Sequence, residues 1–232
     1  MSGPERRTLE VLFDLDGTLV DSAPAILATL RQVLERHGIE PVIPLDRRLI
    51  GAPLVPMLAR LTGTARESDV APLADTFREV YDAAGLAATV AYDGLRETLH
   101  AMVRRGCRLY VVTNKRDVPT RRILDLFGVA RCFAGVYALD TTTPRVRDKC
   151  ELVARVIAAH QLNAMECVMV GDTVEDAAAA CANGVGFIAA TYGYGTPTIG
   201  APTAALATIA TLRELPARLD EIAMTLPPNS AP

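Results

Sequence analysis

Lysine is almost absent from this chain: among its 24 Lys+Arg residues only Lys115 and Lys149 are lysines, and every other basic residue is arginine. A coding bias toward arginine would replace surface lysines, so a lysine that resists replacement is a candidate for work that needs a compact ammonium. Chance retention on the surface is the alternative, and the polar neighbours Asn114 and Arg116 keep it open for Lys115. An excess of positive charge is lacking too. A formal net charge of -3 and a pI near 5.7 leave nothing to neutralise a phosphate backbone, which excludes polymeric nucleic acid as an expected partner.

No Cys-x-x-Cys pair occurs among the five cysteines, Cys107, Cys132, Cys150, Cys167 and Cys181, so neither a disulfide framework nor a zinc site is expected. They read as small buried apolar residues. The three histidines, His37, His100 and His160, each fall near the end of a helical pattern, where the helix dipole suits a partial positive charge. No uninterrupted apolar run is long enough to span a bilayer, and residues 1–7 lead into a strand pattern rather than an apolar helix. A cytoplasmic protein without membrane contact is therefore expected. Repeats and low-complexity segments are absent.

What is present is a chain of 232 residues, 50% hydrophobic and 22% charged, enough to bury a full core and of a length that fits one α/β domain with an insertion. Its most informative stretch is Val11-Leu12-Phe13-Asp14-Leu15-Asp16-Gly17-Thr18, where two carboxylates stand at the exit of an apolar run. Alternation along a strand sends Asp14 and Asp16 to the same side, and two like charges there repel unless a cation or a shared proton relieves them. Metal binding with acid/base chemistry is the simplest relief. A β-hairpin, signalled by Asp-Gly between apolar runs, is the alternative.

Four apolar runs read as strands: Leu9–Phe13, Cys107–Val112, Cys132–Leu139 and Cys167–Val170. Helical patterns lie between them at Gly94–Arg105, Val118–Phe127 and Glu151–His160. Strands alternating with helices predict a parallel sheet, whose ligands bind at the carboxyl ends of the strands. Asp14, Thr113-Asn114 and Asp172 all fall at such ends. From about Ala23 to Tyr92 the alternation stops, leaving helical patterns at Ala25–His37, Leu54–Leu61 and Ala71–Ala84 with no strand pattern among them. An all-helical insertion after the first strand reads as a lid over the crevice. The predicted division is a core of residues 1–20 and 93–226, a helical cap of residues 21–92 and a disordered tail of residues 227–232.

These motifs, in this order, resemble the haloacid dehalogenase superfamily of aspartate-nucleophile phosphotransferases, and within it the phosphoglycolate-phosphatase-like branch with a helical cap. The resemblance spans nearly the whole chain. It rests on Asp14-x-Asp16-Gly17-Thr18, on Thr113-Asn114, on Lys149 and on Gly171-Asp172-Thr173-Val174-Glu175-Asp176. Ile50-Gly51-Ala52-Pro53-Leu54 resembles a cap loop of the branch, and Thr191-Tyr192-Gly193-Tyr194-Gly195 its usual ending. The third motif departs from the branch's common Lys-Pro: here Arg145-Val146-Arg147-Asp148-Lys149 resembles the Arg-x-x-x-Lys form of a neighbouring subgroup. That weakens phosphoglycolate as the substrate and leaves the lysine's role intact.

The resemblance implies a Rossmann-like three-layer core with an inserted helical cap. The implied enzyme is a Mg²⁺-dependent phosphatase of a small phosphate monoester, working through an aspartyl-phosphate as a monomer or homodimer. The monoester could be phosphoglycolate-like, a nucleoside 5′-monophosphate or a sugar phosphate. Asp14 is implied as nucleophile and metal ligand. Asp16 is implied as a main-chain metal ligand whose side chain serves as acid and base. Asp172 would complete the metal site, with Asp176 and Thr173 behind it; a strand-ending turn with a helix cap is the plainer reading of that segment. Lys149 would offset charge on the transferred phosphoryl group. Thr113, Asn114 and Gly17 would hold phosphate oxygens, although Thr113 and Asn114 also read as an ordinary helix cap.

Asp16 speaks for an oxygen leaving group, which needs a proton where a halide does not. The absence of lysine from Ala23–Tyr92 excludes the branch that cleaves phosphonates through a cap Schiff base. In the cap, Arg47, Arg48 and the loop around Gly51 are expected to choose the substrate, solvated surface arginines being the alternative. A sugar-phosphate mutase, with Arg47, Arg48 and Arg60 holding a second anion, and a non-catalytic binding module of the same fold are the other readings.

Overall fold

Alternate residues of the first strand, β1 (Glu10–Phe13), leave the sheet on opposite faces: Val11 and Phe13 join one hydrophobic cluster and Leu12 another. Both faces of a parallel sheet are covered by helices, so such a strand is apolar throughout. The computed structural model describes residues 9–64, 66–195 and 205–225. The tail expected at 227–232 lies outside the described residues.

After β1 come β2 (Val20–Asp21), α1 (Ala23–His37), α2 (Leu54–Thr62), α3 (Glu67–Ala83) and β3 (Val90–Ala91). The chain continues through α4 (Leu95–Arg104), β4 (Arg108–Thr113), α5 (Asp117–Leu126), β5 (Phe133–Ala138), α6 (Lys149–His160) and β6 (Cys167–Gly171). It closes with α7 (Val174–Ala182), β7 (Gly186–Ala190), β8 (Ala207–Ile209) and α8 (Leu215–Thr225). Six strands form one sheet in the order β5-β4-β1-β6-β7-β8, every pairing parallel. Residues of α4, α5 and α8 bury one face with Val11, Phe13, Val111 and Val170, while α6 and α7 bury the other with Leu12, Val112 and Met169. The architecture is a three-layer α/β fold of Rossmann type.

The helices between β2 and β3 have a core of their own. Ile26, Leu30 and Val33 of α1 pack with Met57, Leu58 and Leu61 of α2 and with Leu73, Phe77 and Tyr81 of α3. Their two connections to the sheet pair with each other, Val20 with Ala91 and Asp21 with Val90, antiparallel. That ribbon corrects the expectation of a stretch free of strand, because two-residue strands are too short to show alternation. α3 also starts earlier than expected, at Glu67. Glu67 and Asp69 suit the positive end of the helix dipole, and Pro72 is carried inside the helix instead of opening it.

Two further strands carry no periodic signal in the sequence: β7 is a short apolar run buried from Phe187 onward, and β8, with Thr208 exposed, is only three residues long. His37 and His160 end their helices as expected, whereas His100 lies in the middle of α4. Cys132 and Cys167 are buried, Cys107 and Cys150 are half-buried, and Cys181 is exposed, contrary to the expectation for all five. No helix among the described residues is long and apolar enough to cross a membrane.

Candidate active site

The sheet order sets β1 between β4 and β6, which brings three strand ends side by side. Asp14 follows β1 and continues its pairing, its N–H donating to Val170 O at 3.0 Å. Asp172 follows β6, and Asp176 lies in the first turn of α7. Lys149 is the first residue of α6, held there by Asp148, whose side chain accepts from Glu151 N. From that position Lys149 Nζ donates to Asp14 Oδ1 at 2.8 Å and to Asp176 Oδ1 at 2.6 Å. Asp14, Lys149, Asp172 and Asp176 are all buried.

Carboxylate oxygens of Asp14, Asp172 and Asp176 lie within 4.8 Å of one another. Burial pushes the Asp14 carboxyl well above its usual range; Lys149 opposes the shift, while Asp176 and Asp172 add to it. Burial, then Asp176, raises Asp172 to about 6 against the backbone donors of Tyr194 and Gly195. Burial works against the charge on Lys149, yet Asp14 and Asp176 hold its ammonium above the ordinary value. Three carboxylates against one ammonium leave two negative charges in a buried place. That surplus, offered by hard oxygen donors, fits a divalent cation of the Mg²⁺ type.

Asp172 is fixed from several sides. Its Oδ2 accepts from Tyr194 N at 2.7 Å and Gly195 N at 3.2 Å, and its Oδ1 from Thr18 Oγ1 at 3.3 Å. Gly17 stands against it with φ of 92°, and a Cβ there would lie 2.3 Å from Asp172 Oδ2. Gly17 therefore permits the approach of the β1 loop to the β6 end. Thr173 caps α7, its hydroxyl accepting from Asp176 N while Asp176 Oδ2 accepts from Thr173 N and Oγ1. This capping box holds Asp176 toward Lys149.

Asp16 faces a different set of partners. Its Oδ1 accepts from Ser22 Oγ at 2.6 Å, and its two oxygens accept from Lys115 Nζ at 3.2 and 3.1 Å. Lys115 reaches it from just beyond β4 and lies under the Tyr81 ring of α3, 4.7 Å from the centroid. Burial opposes the charge on Lys115, and Asp16 nonetheless raises its pKa. With the Ser22 hydroxyl spent on Asp16, the start of α1 is capped by Tyr194 OH, which accepts from Ser22 N at 2.7 Å and Ala23 N at 3.0 Å. In the sequence, lysine scarcity alone marks Lys115. Tyr81, Ser22 and Tyr194 carry no separate chemical signal there, since each acquires its role from partners distant along the chain.

Thr113 and Asn114 line the crevice with Asp14 and Asp16. Thr113 Oγ1 accepts from Lys115 N at 3.2 Å, which leaves its hydroxyl proton free to point elsewhere. The Asn114 amide donates to Gly51 O at 2.8 Å, tying the core to the loop before α2. Gly51 thus borders the crevice through its backbone. The two cap arginines do not line it. Arg47 turns to Asp21 at 3.0 Å and stacks near Tyr194, while Arg48 forks onto Asp46 within its own loop. In this structure nearby carboxylates pair with both. The crevice measures about 530 Å³ and is walled by Ile50, Leu54, Met57 and Phe77 of the helical insertion, with Pro119 and Leu139 opposite.

A family model of haloacid dehalogenase-like hydrolases matches residues 11–190. A 5′-nucleotidase of Pseudomonas aeruginosa is 34% identical over 209 residues, covering 88% of this chain and 94% of that protein. A phosphoglycolate phosphatase of Agrobacterium fabrum is 32% identical over 188 residues, covering 79% of this chain and 80% of that protein. Among solved structures, a predicted phosphatase from Clostridium acetobutylicum superposes with a TM-score of 0.82 at 26% identity, over 93% of this chain and 100% of that one.

Proposed function

Because this chain belongs to the haloacid dehalogenase-like hydrolases and is a phosphoric monoester hydrolase, we propose that it cleaves a small phosphate monoester through a covalent phosphoryl group on Asp14. The observation that carries this reading is the buried cluster of Asp14, Asp172 and Asp176 around Lys149, two negative charges in surplus, opening onto a crevice that also holds Asp16. Asp14 and Asp172, with the main-chain carbonyl of Asp16, would hold a Mg²⁺ ion, which screens the phosphate dianion from the carboxylate and draws charge from its oxygens.

Asp14 is suited to attack because only its Oδ1 is engaged, by Lys149, and its second oxygen has no protein donor among the described residues. As the oxygen–phosphorus bond forms, the bond to the leaving oxygen breaks and Asp16, as general acid, passes a proton to that oxygen. Asp16, now a carboxylate, then takes a proton from water as the water attacks phosphorus. The bond to Asp14 breaks and orthophosphate departs. Thr113 donates its hydroxyl to a non-bridging phosphate oxygen, and Lys149 keeps a fixed positive charge beside the reacting oxygens. Arg47, Arg48 and Arg60, which a mutase would need for a second phosphate, lie outside the crevice lining, so hydrolysis is favoured over phosphoryl transfer within a sugar.

The test is phosphate release from p-nitrophenyl phosphate by the purified protein with and without Mg²⁺, repeated with Asp14→Asn. Release that needs Mg²⁺ and disappears in the variant is expected, since an amide cannot form the acyl phosphate. Turnover by Asp14→Asn within about tenfold of the unaltered protein would overturn the nucleophile.

A further inference from the structure

Three consecutive side chains beyond β4 each grip the helical insertion. Asn114 donates to Gly51 O at 2.8 Å, Lys115 lies against the Tyr81 ring, and Arg116 donates to Asp82 Oδ1 at 2.6 Å. Arg122 of α5 adds a donor to Asp82 O at 2.9 Å, so the core holds both Tyr81 and Asp82 at the end of α3. Lys115 does more than hold the insertion, because its Nζ also donates to both oxygens of Asp16. One ammonium thus joins a ring of the insertion to the acid/base carboxyl of the core.

What Tyr81 offers Lys115 is a ring face. The ammonium stands 4.7 Å from the ring centroid, and the Tyr81 hydroxyl is buried without a hydrogen-bond partner among the described residues. A ring face attracts an ammonium more strongly once water is excluded, and the Lys115 side chain is only 7% exposed. The ring is itself fixed. Phe77 stacks on it with centroids 5.3 Å apart and planes 14° from parallel, and Gly85 leaves it room, since a Cβ there would lie 2.7 Å from Tyr81 Cδ2. A compact ammonium suits a seat between ring and carboxylate, which gives the scarce lysine at 115 a physical reason.

We propose that Tyr81 is a positioning residue for the hydrolysis: its ring sets Lys115, and Lys115 sets the Asp16 carboxyl that exchanges a proton with the leaving oxygen. The helical insertion thereby acts on the proton transfer as well as walling the crevice. The inference rests on the phosphatase reading above and adds a residue of α3 to its chemical step.

The test measures kcat and KM in Mg²⁺ on benzyl phosphate, whose alkoxide leaving group needs a proton, and on p-nitrophenyl phosphate, whose leaving oxygen does not. The ratio of the two kcat values is independent of how much of a variant is folded. Tyr81→Leu should lower the benzyl-to-nitrophenyl ratio by about tenfold. Tyr81→Met, whose flexible chain fills the seat without a ring face, should lower it alike. Tyr81→Phe, which keeps the ring face, should leave it within about twofold of the unaltered protein. In a Lys115→Met background, Tyr81→Leu should lower the ratio no further, because the ring then has no ammonium to hold. Hydrolysis of neither substrate by the unaltered protein overturns the phosphatase reading and the inference with it. A ratio unmoved in Tyr81→Leu and Tyr81→Met, a loss confined to KM, a Tyr81→Phe ratio as low as that of Tyr81→Leu, or a full additional fall in the double variant overturns the positioning role and leaves the phosphatase reading standing.

Discussion

Lys115 and Asp16 form a buried ion pair in which one ammonium spans both oxygens of the carboxylate, at 3.2 and 3.1 Å, with side chains only 7% and 11% exposed. The pair joins the end of β4 to the loop after β1, and Tyr81 covers it from the helical insertion. Lys115 thereby fixes where the Asp16 carboxyl stands relative to the crevice.

Replacing Lys115 by Met should show this in the leaving-group dependence. An Asp16 released from its partner misplaces the proton, so kcat should fall by about 10²-fold on alkyl phosphates and much less on p-nitrophenyl phosphate, whose leaving oxygen needs no proton. Stability should fall as well, by about 3–5 kcal/mol, since a buried carboxylate loses its counter-charge. Equal losses of kcat on both substrates would assign Lys115 to folding alone.

Mg²⁺ should raise the Tm of the protein, by linkage worth about 2.7 kcal/mol at a concentration one hundred times Kd. Asp172→Asn should abolish that rise, because it removes a carboxylate from the cluster. Asp16→Asn should keep most of it, its share being a main-chain carbonyl. A thermal melt with and without the ion decides the matter, and a full rise in Asp172→Asn would refute the ligand set.

Tyr194→Phe should loosen the helical insertion. The lost hydroxyl strands Ser22 N, from which it now accepts at 2.7 Å, while Ala23 N keeps Asp21 Oδ1 at 3.1 Å. Leaving a buried donor unpaired costs about 1–3 kcal/mol. Urea unfolding measures it, and a midpoint equal to that of the unaltered protein would show that water replaces the hydroxyl at no cost.

Gly17→Ala should lose activity and stability together. The new Cβ would sit 2.3 Å from Asp172 Oδ2, and the backbone there, at φ of 92°, disfavours any side chain. Strain of about 1–3 kcal/mol is expected before any clash is counted. The Mg²⁺-induced rise in Tm should shrink with it. A variant that melts lower but keeps the full rise would separate Gly17 from the placement of Asp172.

Much of the site is legible in the amino-acid sequence. Asp14-x-Asp16 at a strand exit, Gly-Asp-Thr opening a helix and a lysine in a chain that avoids lysine are local patterns, and local patterns survive in a linear string. The periods of α1, α4 and α6 are visible for the same reason, since amphipathic spacing is set by each helix's own turns. What the string alone determined was therefore the chemistry on offer and the order of the elements that carry it. Which groups meet was decided by tertiary structure. Lys149 reaches Asp14 across 135 positions, and Lys115 reaches Asp16 across 99, because β1 lies between β4 and β6 in the sheet. Arg47 and Arg48 look alike in the sequence, but Arg48 pairs with Asp46 two residues away, whereas Arg47 meets Asp21 only because the fold brings the two together across 26 positions. A charged side chain follows the nearest opposite charge in space, and spatial neighbours are a property of the packed fold, not of sequence spacing.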